Sequence, residues 1–307
     1  MSDSVVTAYH NFEPQKQGQN LPGTDKAMEP LAEHTRIEKW DENGKPYLEE
    51  YIGSGKLKNK KIIISGSDSG IGKSVAIFAA REGADMTVVY LPEEKEDAED
   101  TMSRIEEEGR GCLLVPANLM NDDECKKIID KHVAKFGRID VLVNNASKQI
   151  QCPDLAEINL DNVRSTFNSN IVGMIALTKF ALPHMKRGCT IVNSSSVTAY
   201  KGSAGMLDYS ATKGAISTFT RSLAMQLMGK GIRVNAVAPG PVYTPLQPAS
   251  RSDEQMEGWG TGTVPLHKRV AQPAEMASSY IFLASADSNQ MTGSVLHINS
   301  GQHVGGS

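Results

Sequence analysis

Cysteine is scarce and scattered: Cys112, Cys125, Cys152 and Cys189 stand far apart with no Cys-x-x-Cys pair. That spacing excludes a disulfide scaffold and a thiolate metal knuckle, and reads as free thiols in a reducing compartment. No signal peptide opens the chain, so the cytoplasm is the expected location. The seven histidines form no His-x-x-x-His or comparable cluster, and no metal site built from neighbouring ligands is expected. No apolar run reaches the ~18 residues of a membrane span, and the terminal Gly-Gly-Ser matches no common address or lipidation signal. Basic residues are dispersed apart from Lys58-Asn59-Lys60-Lys61, and the net charge is -4, so neither nucleic acid nor a membrane is an expected partner. There is no internal repeat.

The 307 residues divide by composition. Residues 1–55 are polar, carry Pro14, Pro22, Pro30 and Pro46, and lack sustained periodicity, which reads as an extended arm. Trp40, Tyr47, Tyr51 and Ile52 are its adhesive points, toward the main domain or a neighbouring subunit, with a disordered leader as the alternative reading. Residues 56–307 form the main domain. There, short apolar runs at Lys61–Ser65, Met86–Leu91, Cys112–Pro116, Val141–Asn144, Thr190–Ser194, Arg233–Val237 and Val295–Ile298 alternate with helical patterns. The helices fall at Ile71–Glu82, Glu94–Glu108, Asp122–Phe136, Val163–Met185, Tyr209–Met228 and Pro273–Leu283. Alternation of this kind predicts an α/β, doubly wound parallel sheet of about seven strands with helices on both faces. Near-continuous apolar strands suit burial on two faces. The glycosylation sequons at Asn145 and Asn193 end such strands and are read as structural.

Strand Ile62-Ile63-Ile64 runs into Ser65-Gly66-Ser67-Asp68-Ser69-Gly70-Ile71-Gly72 and then a helix. Gly66 permits a tight turn, Gly70 lets backbone approach a phosphate, Gly72 lets helix pack on strand, and the helix N-terminus offers free N–H groups. Further on, Tyr209 and Lys213 lie four apart, on one helix face. A phenol of ordinary pKa about 10 is a poor acid/base near neutrality, but an adjacent cation favours the phenolate. Taken singly, Ser196 closes a Ser-Ser-Ser run typical of a strand end, and Asn170 suits a tie between helix and sheet.

The glycine spacing, with Tyr209 and Lys213, resembles the short-chain dehydrogenase/reductase family. Asn144-Asn145-Ala146 resembles the motif after its fourth strand, Asn170 its structural and catalytic asparagine, Pro239-Gly240 its post-strand turn, and Ser196 its catalytic serine. The likeness covers about residues 57–300. More narrowly, segments 196–202, 207–215 and 295–299 resemble a branch of general-stress-protein-type oxidoreductases and aldehyde reductases, often with an N-terminal arm. Three positions depart from the pattern: Ser65 replaces a threonine, Ser147 a glycine, and Asn118 an adenine-binding aspartate.

The resemblance implies a Rossmann-type fold and hydride transfer between a nicotinamide coenzyme and a carbonyl or alcohol. Tyr209 would move the proton, Lys213 would acidify it and hold the nicotinamide ribose, Ser196 would bond the substrate oxygen, and Asn170 would position a water. Expected coenzyme contacts are Gly66, Ser69, Gly70, Ile71, Gly72, Tyr90, Asn118, Asn144, Ala146, Tyr209, Lys213, Pro239, Gly240, Val242 and Thr244. No carboxylate stands at Tyr90 or Leu91, which tilts the choice to NADP(H), with NAD possible because Asp68, Glu93 and Glu94 lie close and only Lys95 offsets them. Residues 245–264, with Met256 and Trp259, read as a lid over an apolar or aromatic substrate, with Gln149, Gln151, Tyr200 and Met206 as weaker pocket positions. A NAD-dependent sugar or polyol dehydrogenase and a non-catalytic coenzyme-binding sensor or scaffold are the competing readings. The family likeness also implies a homo-oligomer, a tetramer built through the two long helices and the C-terminal region.

Overall fold

Ile62 and Ile64 point to one side of their strand and Ile63 to the other, and all three are fully buried. Burying each is worth roughly 1.5–3 kcal/mol, so this strand is stable only where both faces are covered. The computed structural model, which describes residues 7–9 and 12–305, supplies that cover. In chain order the strands are β1 (Arg36–Trp40), β2 (Pro46–Glu50), β3 (Lys61–Ser65), β4 (Asp85–Tyr90), β5 (Cys112–Pro116), β6 (Val141–Asn144), β7 (Thr190–Ser194), β8 (Arg233–Pro239) and β9 (Val295–Ile298). The α-helices are α1 (Gly70–Arg81), α2 (Lys95–Glu107), α3 (Asp122–Phe136), α4 (Leu160–Phe167), α5 (Gly173–Ala181), α6 (Thr198–Lys201), α7 (Leu207–Leu227), α8 (Asp253–Met256) and α9 (Pro273–Ala284).

Seven strands form one parallel sheet in the order β5-β4-β3-β6-β7-β8-β9. One face carries α1, α2 and α9 over a core that includes Phe78, Ile105 and Tyr280. The opposite face carries α3, α5 and α7 over Ile128, Leu177 and Leu227. The chain therefore folds as a single Rossmann-type domain, as its alternating pattern predicts. Strand order reverses between β3 and β6, which opens a crevice at their C-terminal ends. Among the described residues no helix is long and apolar enough to cross a membrane.

The expected helix Val163–Met185 begins earlier, at Leu160, and is interrupted by a π-turn over Asn168–Val172. The N-terminal segment is also more ordered than its composition suggests. β1 and β2 pair antiparallel, and Tyr51 stacks on Phe78 at 4.0 Å between ring centroids. Arg269 ties the hairpin to α9 by bonding Glu38 (3.1 Å) and Glu275 (2.8 Å). Of the other expected adhesive positions, Trp40 stacks on His267, whereas Ile52 is 80 % exposed.

Upstream, the arm crosses the lid. Gly258 N–H donates to Pro14 O (2.8 Å), Gln19 N–H to Pro248 O (3.0 Å), and Met28 is buried with Tyr243, Met256, Val264 and Val270. Met256 is fully buried in that cluster, so the arm, and not a substrate, takes its side chain.

Candidate active site

The turn from β3 into α1 is built on glycine for steric reasons. Gly66 has φ +62°, in the left-handed region. A Cβ on Gly72 would lie 1.9 Å from Gly66 O, so α1 reaches the loop only because that atom is missing. Ser65 Oγ accepts the N–H groups of Asn145 (3.0 Å) and Ala146 (3.2 Å), and Asn145 Nδ2 donates to Gly66 O (2.7 Å). The serine in place of threonine thus keeps the strand-bridging hydroxyl.

Asp25, from the arm, reaches the same loop. Its buried carboxylate accepts Gly70 N–H (3.3 Å) and pairs with His34 (2.8 Å) and Lys73 (3.4 Å). Leu21, Pro22 and Gly23 form part of the cleft wall beside it. Nothing in the arm's composition marks this contact, because one aspartate in a polar segment carries no periodic signal.

One cleft runs from the loop to Tyr209. Gly66, Ser69, Gly70 and Ile71 line it near α1, Tyr90 and Asn118 line its outer end, and Ala146, Pro239, Gly240, Val242 and Thr244 line its inner end with Tyr209 and Lys213. Asn144 does not reach it: its amide donates to Thr178 Oγ1 (3.1 Å) and Asn193 Oδ1 (2.9 Å) beneath the sheet. Gly72 also stays behind the loop. Asn118 Oδ1 accepts Met120 N–H (3.0 Å) with one lone pair, which leaves the side-chain amide and the oxygen's second lone pair for a ligand edge.

At the inner end, Ser196 Oγ accepts from Thr198 N–H (3.2 Å) and Thr198 Oγ1 (3.1 Å). With both lone-pair sites engaged, its own proton is the group left to donate. Lys213 Nζ donates to Ser194 O (2.9 Å) and lies 5.3 Å from the Tyr209 ring centroid. Burial pushes the Tyr209 phenol up to about 12, against lowering by Ser196, Arg251 and Ser147. Burial pushes the Lys213 ammonium down to about 7. The Tyr209 phenol is therefore a weaker acid than four-residue spacing alone predicts, because the low-dielectric site penalises the phenolate and the ammonium that would favour it alike.

The π-turn carries Asn170 inward. Its Oδ1 accepts Lys148 N–H (2.7 Å), and its Nδ2 donates to Lys148 O (2.8 Å) and Thr212 Oγ1 (3.1 Å). That side chain is committed to the 148 loop and α7, which leaves it no amide proton for the water assigned to it on resemblance. Among the weaker pocket positions, Tyr200 packs on His297 (4.5 Å) and Gln149 Nε2 donates to Ser250 Oγ (2.7 Å). Neither Tyr200, Gln149, Gln151 nor Met206 lines the cleft.

Lys213 makes a stability prediction. Its folded value, about 7, lies below its ordinary 10.5, so the unfolded chain takes up a proton between those pH values. Its destabilising effect is full below pH 7 and fades as the pH rises toward 10.5. Lys213→Met is expected to stabilise the fold at pH 7 by roughly 1–3 kcal/mol. Thermal melts from pH 6 to 10 should show that gain shrinking as the pH rises.

A glycine turn at a helix N-terminus, a crevice at the sheet's switch point and a buried Ser-Tyr-Lys group define a Rossmann-fold oxidoreductase that works with a dinucleotide. Residues 66–303 match a family model described as enoyl-(acyl carrier protein) reductase. The chain belongs to the short-chain dehydrogenase/reductase family, whose members are NAD(P)-dependent enzymes acting on CH–OH groups. It is 42 % identical over 300 residues to glucose and ribitol dehydrogenase of Daucus carota, covering 96 % of this chain and 98 % of the relative. Identity is 46 % over 261 residues to NADPH-dependent aldehyde reductase 1, chloroplastic, of Arabidopsis thaliana, covering 83 % and 90 %. A short-chain dehydrogenase from Burkholderia cenocepacia, solved in complex with NADP, superposes with TM-score 0.73 at 27 % identity, covering 80 % of this chain and 98 % of that one.

Proposed function

We propose that this protein interconverts a small aldehyde, ketone or secondary-metabolite carbonyl and its alcohol, with NADP(H) as hydride carrier and Tyr209 as acid/base. The observation that carries the reading is the convergence of Ser196, Tyr209 and Lys213 at the inner end of the cleft that begins at the glycine turn. The residues fit a dinucleotide: Gly72 has no room for a Cβ, and Asp68 Oδ2 is buried along the cleft with no partner among the described residues. Gly66, Ser69, Gly70 and Ile71 would hold the pyrophosphate, Tyr90 and Asn118 the adenosine, and Ala146, Pro239, Gly240, Val242 and Thr244 the nicotinamide half. When bound, the nicotinamide supplies hydride in reduction and accepts it in oxidation.

In reduction, the Ser196 hydroxyl donates to the carbonyl oxygen as charge develops there, and Tyr209 passes its proton to that oxygen. Lys213 favours the phenolate left behind and would bond a ribose hydroxyl of the coenzyme. Asn170 acts as a positioning residue, since its amide fixes Lys148 and α7 around the site. Oxidation reverses each proton transfer.

NADP(H) is supported by the missing carboxylate at Tyr90 and Leu91 and by the coenzymes named for the Arabidopsis relative and the Burkholderia neighbour. A second reading, NAD(H) with a sugar or polyol, has its own support. Asp68 and Glu94 line the outer end, where burial, with Asp25 and Asp97 nearby, pushes the Asp68 carboxyl up to about 7, and burial beside Asp68 pushes Glu94 up to about 8. Acidic groups there suit ribose hydroxyls better than a phosphate. Catalytic efficiency with the two coenzymes decides: at least a tenfold advantage for NADP(H), about 1.4 kcal/mol, is expected, and the reverse preference would overturn the choice. A homo-tetramer through α4, α5 and α7 is supported by exposed Leu160, Val172, Ile175 and Met225 on those helices or their π-turn. Sedimentation of the full chain measures it, and a monomer would exclude it.

A further inference from the structure

Three stretches far apart in the chain meet between the outer and inner ends of the cleft. They are the glycine turn, the base of the lid at Thr244–Gln247, and Leu21-Pro22-Gly23 of the arm, and all three line the cleft. They also touch pairwise. A Cβ on Gly70 would lie 3.1 Å from Thr244 Cβ, so the turn and the lid base are in contact. A Cβ on Gly23 would lie 2.5 Å from Pro245 O and 3.0 Å from Ala249 Cβ, so the arm lies on the lid more closely than a side chain at that position allows. Gly70 N–H donates to both carboxylate oxygens of Asp25 (3.3 Å each), so the arm holds the turn as well.

The arm is fastened on either side of Leu21-Pro22-Gly23. Before it, Gln19 N–H donates to Pro248 O (3.0 Å) and Gln17 Nε2 to Tyr243 Oη (3.0 Å). After it, the N–H groups of Asp25 and Lys26 donate to the Asp97 carboxylate on α2 (2.6 and 3.4 Å). Asp25 does not itself line the cleft, and its charge is matched by His34 (2.8 Å) and Lys73 (3.4 Å). What the arm presents to the cleft is therefore uncharged. Leu21 is 41 % exposed and joins none of the apolar clusters of the described residues. A ligand in the cleft removes part of that leucine from water, which couples the arm's position to occupancy. A brace for the lid alone needs the contacts of Gln17, Gln19 and Met28, and does not need three arm residues on the cleft wall.

We propose that the N-terminal arm is part of the coenzyme site: Leu21-Pro22-Gly23 closes over bound NADP(H) at its pyrophosphate, and the arm must part from the lid and the turn before the coenzyme leaves. The proposal rests on the reading that NADP(H) lies along this cleft, and it gives the N-terminal segment its role there. The pyrophosphate is the portion assigned to the glycine turn, and the arm meets that turn at Gly70. Asp25 on the turn and Gln19 on the lid are the two fasteners, so both govern how long the coenzyme stays.

Stopped-flow displacement tests it. Full-length protein is loaded with NADPH and chased with excess NADP+, and the decay of bound NADPH fluorescence gives the dissociation rate. Leu21→Ala should release NADPH about tenfold faster, equal to about 1.4 kcal/mol, with the melting temperature of the free protein unchanged because Leu21 lies outside the apolar clusters. Asp25→Asn should speed release by loosening the arm from the turn. Leu31→Ala is the control: that leucine is 68 % exposed in the same arm and absent from the cleft wall, so its release rate should match the wild type. Hydrogen exchange reads the same closure in the unaltered protein, where the Gln19 and Asp25 amides should exchange about tenfold more slowly with saturating NADPH. Release within about twofold of the wild type in either Leu21→Ala or Asp25→Asn would overturn the proposal. So would equal acceleration in Leu31→Ala, or exchange at Gln19 that ignores the coenzyme. Each of those results leaves the coenzyme reading standing, whereas a wild type that binds neither NADPH nor NADH would remove that reading and the proposal with it.

Discussion

Tyr209→Phe is expected to lower kcat for carbonyl reduction about a thousandfold, within the range for loss of a positioned general acid. The phenyl ring keeps the packing of a residue that is 8 % exposed, so the fold and the coenzyme cleft should survive. What disappears is the one proton that the site can deliver to the substrate oxygen. Ser196 cannot replace it, because its proton serves as a hydrogen-bond donor and its acceptor sites are filled by Thr198. Lys213 cannot replace it either, since its ammonium is directed at Ser194 O. Coenzyme titration by nicotinamide fluorescence should show affinity changed by less than about threefold, under 0.7 kcal/mol. Unchanged turnover in this variant would remove Tyr209 from the chemistry.

The second large effect belongs to the glycine turn. Gly72→Ala adds a Cβ that would sit 1.9 Å from Gly66 O and 2.7 Å from Asn145 Nδ2. Those two atoms already bond each other at 2.7 Å, so relief requires the backbone of the turn to move off α1. Overpacking of this kind costs about 1–3 kcal/mol, and the displaced turn loses the N–H geometry that a pyrophosphate needs. Coenzyme affinity is expected to fall about a hundredfold, near 2.7 kcal/mol, with a lower melting temperature. Gly229→Ala is the control, because its Cβ would meet nothing within 4 Å. Equal coenzyme affinity in both variants would contradict this account of the turn.

The legible parts of this fold are those where one physical demand dominates a stretch of chain. Ile62-Ile63-Ile64 must be buried on two faces, and Gly66, Gly70 and Gly72 must lack side chains, so both are visible in the sequence. The order of Asn170, Ser196, Tyr209 and Lys213 is legible through family resemblance, since each alone has an ordinary structural explanation. Long-range pairings leave no such trace. Asp25 meets Gly70 across forty-five residues of chain, and Lys73 three residues further on. The strands of the β1–β2 hairpin are half-exposed and charged, which hides their alternation. Met256 reads as a lid residue until the arm is seen to bury it.

The central claim is hydride transfer to a carbonyl carbon with Tyr209 supplying the proton. Coenzyme deuterated at the nicotinamide C4, incubated with a carbonyl that the protein reduces, tests it by mass spectrometry of the product alcohol. The account predicts one deuterium on the carbinol carbon with the wild type and a rate of labelled product about a thousandfold lower with Tyr209→Phe. Alcohol formed without deuterium, or labelled at the same rate by both proteins, would contradict it.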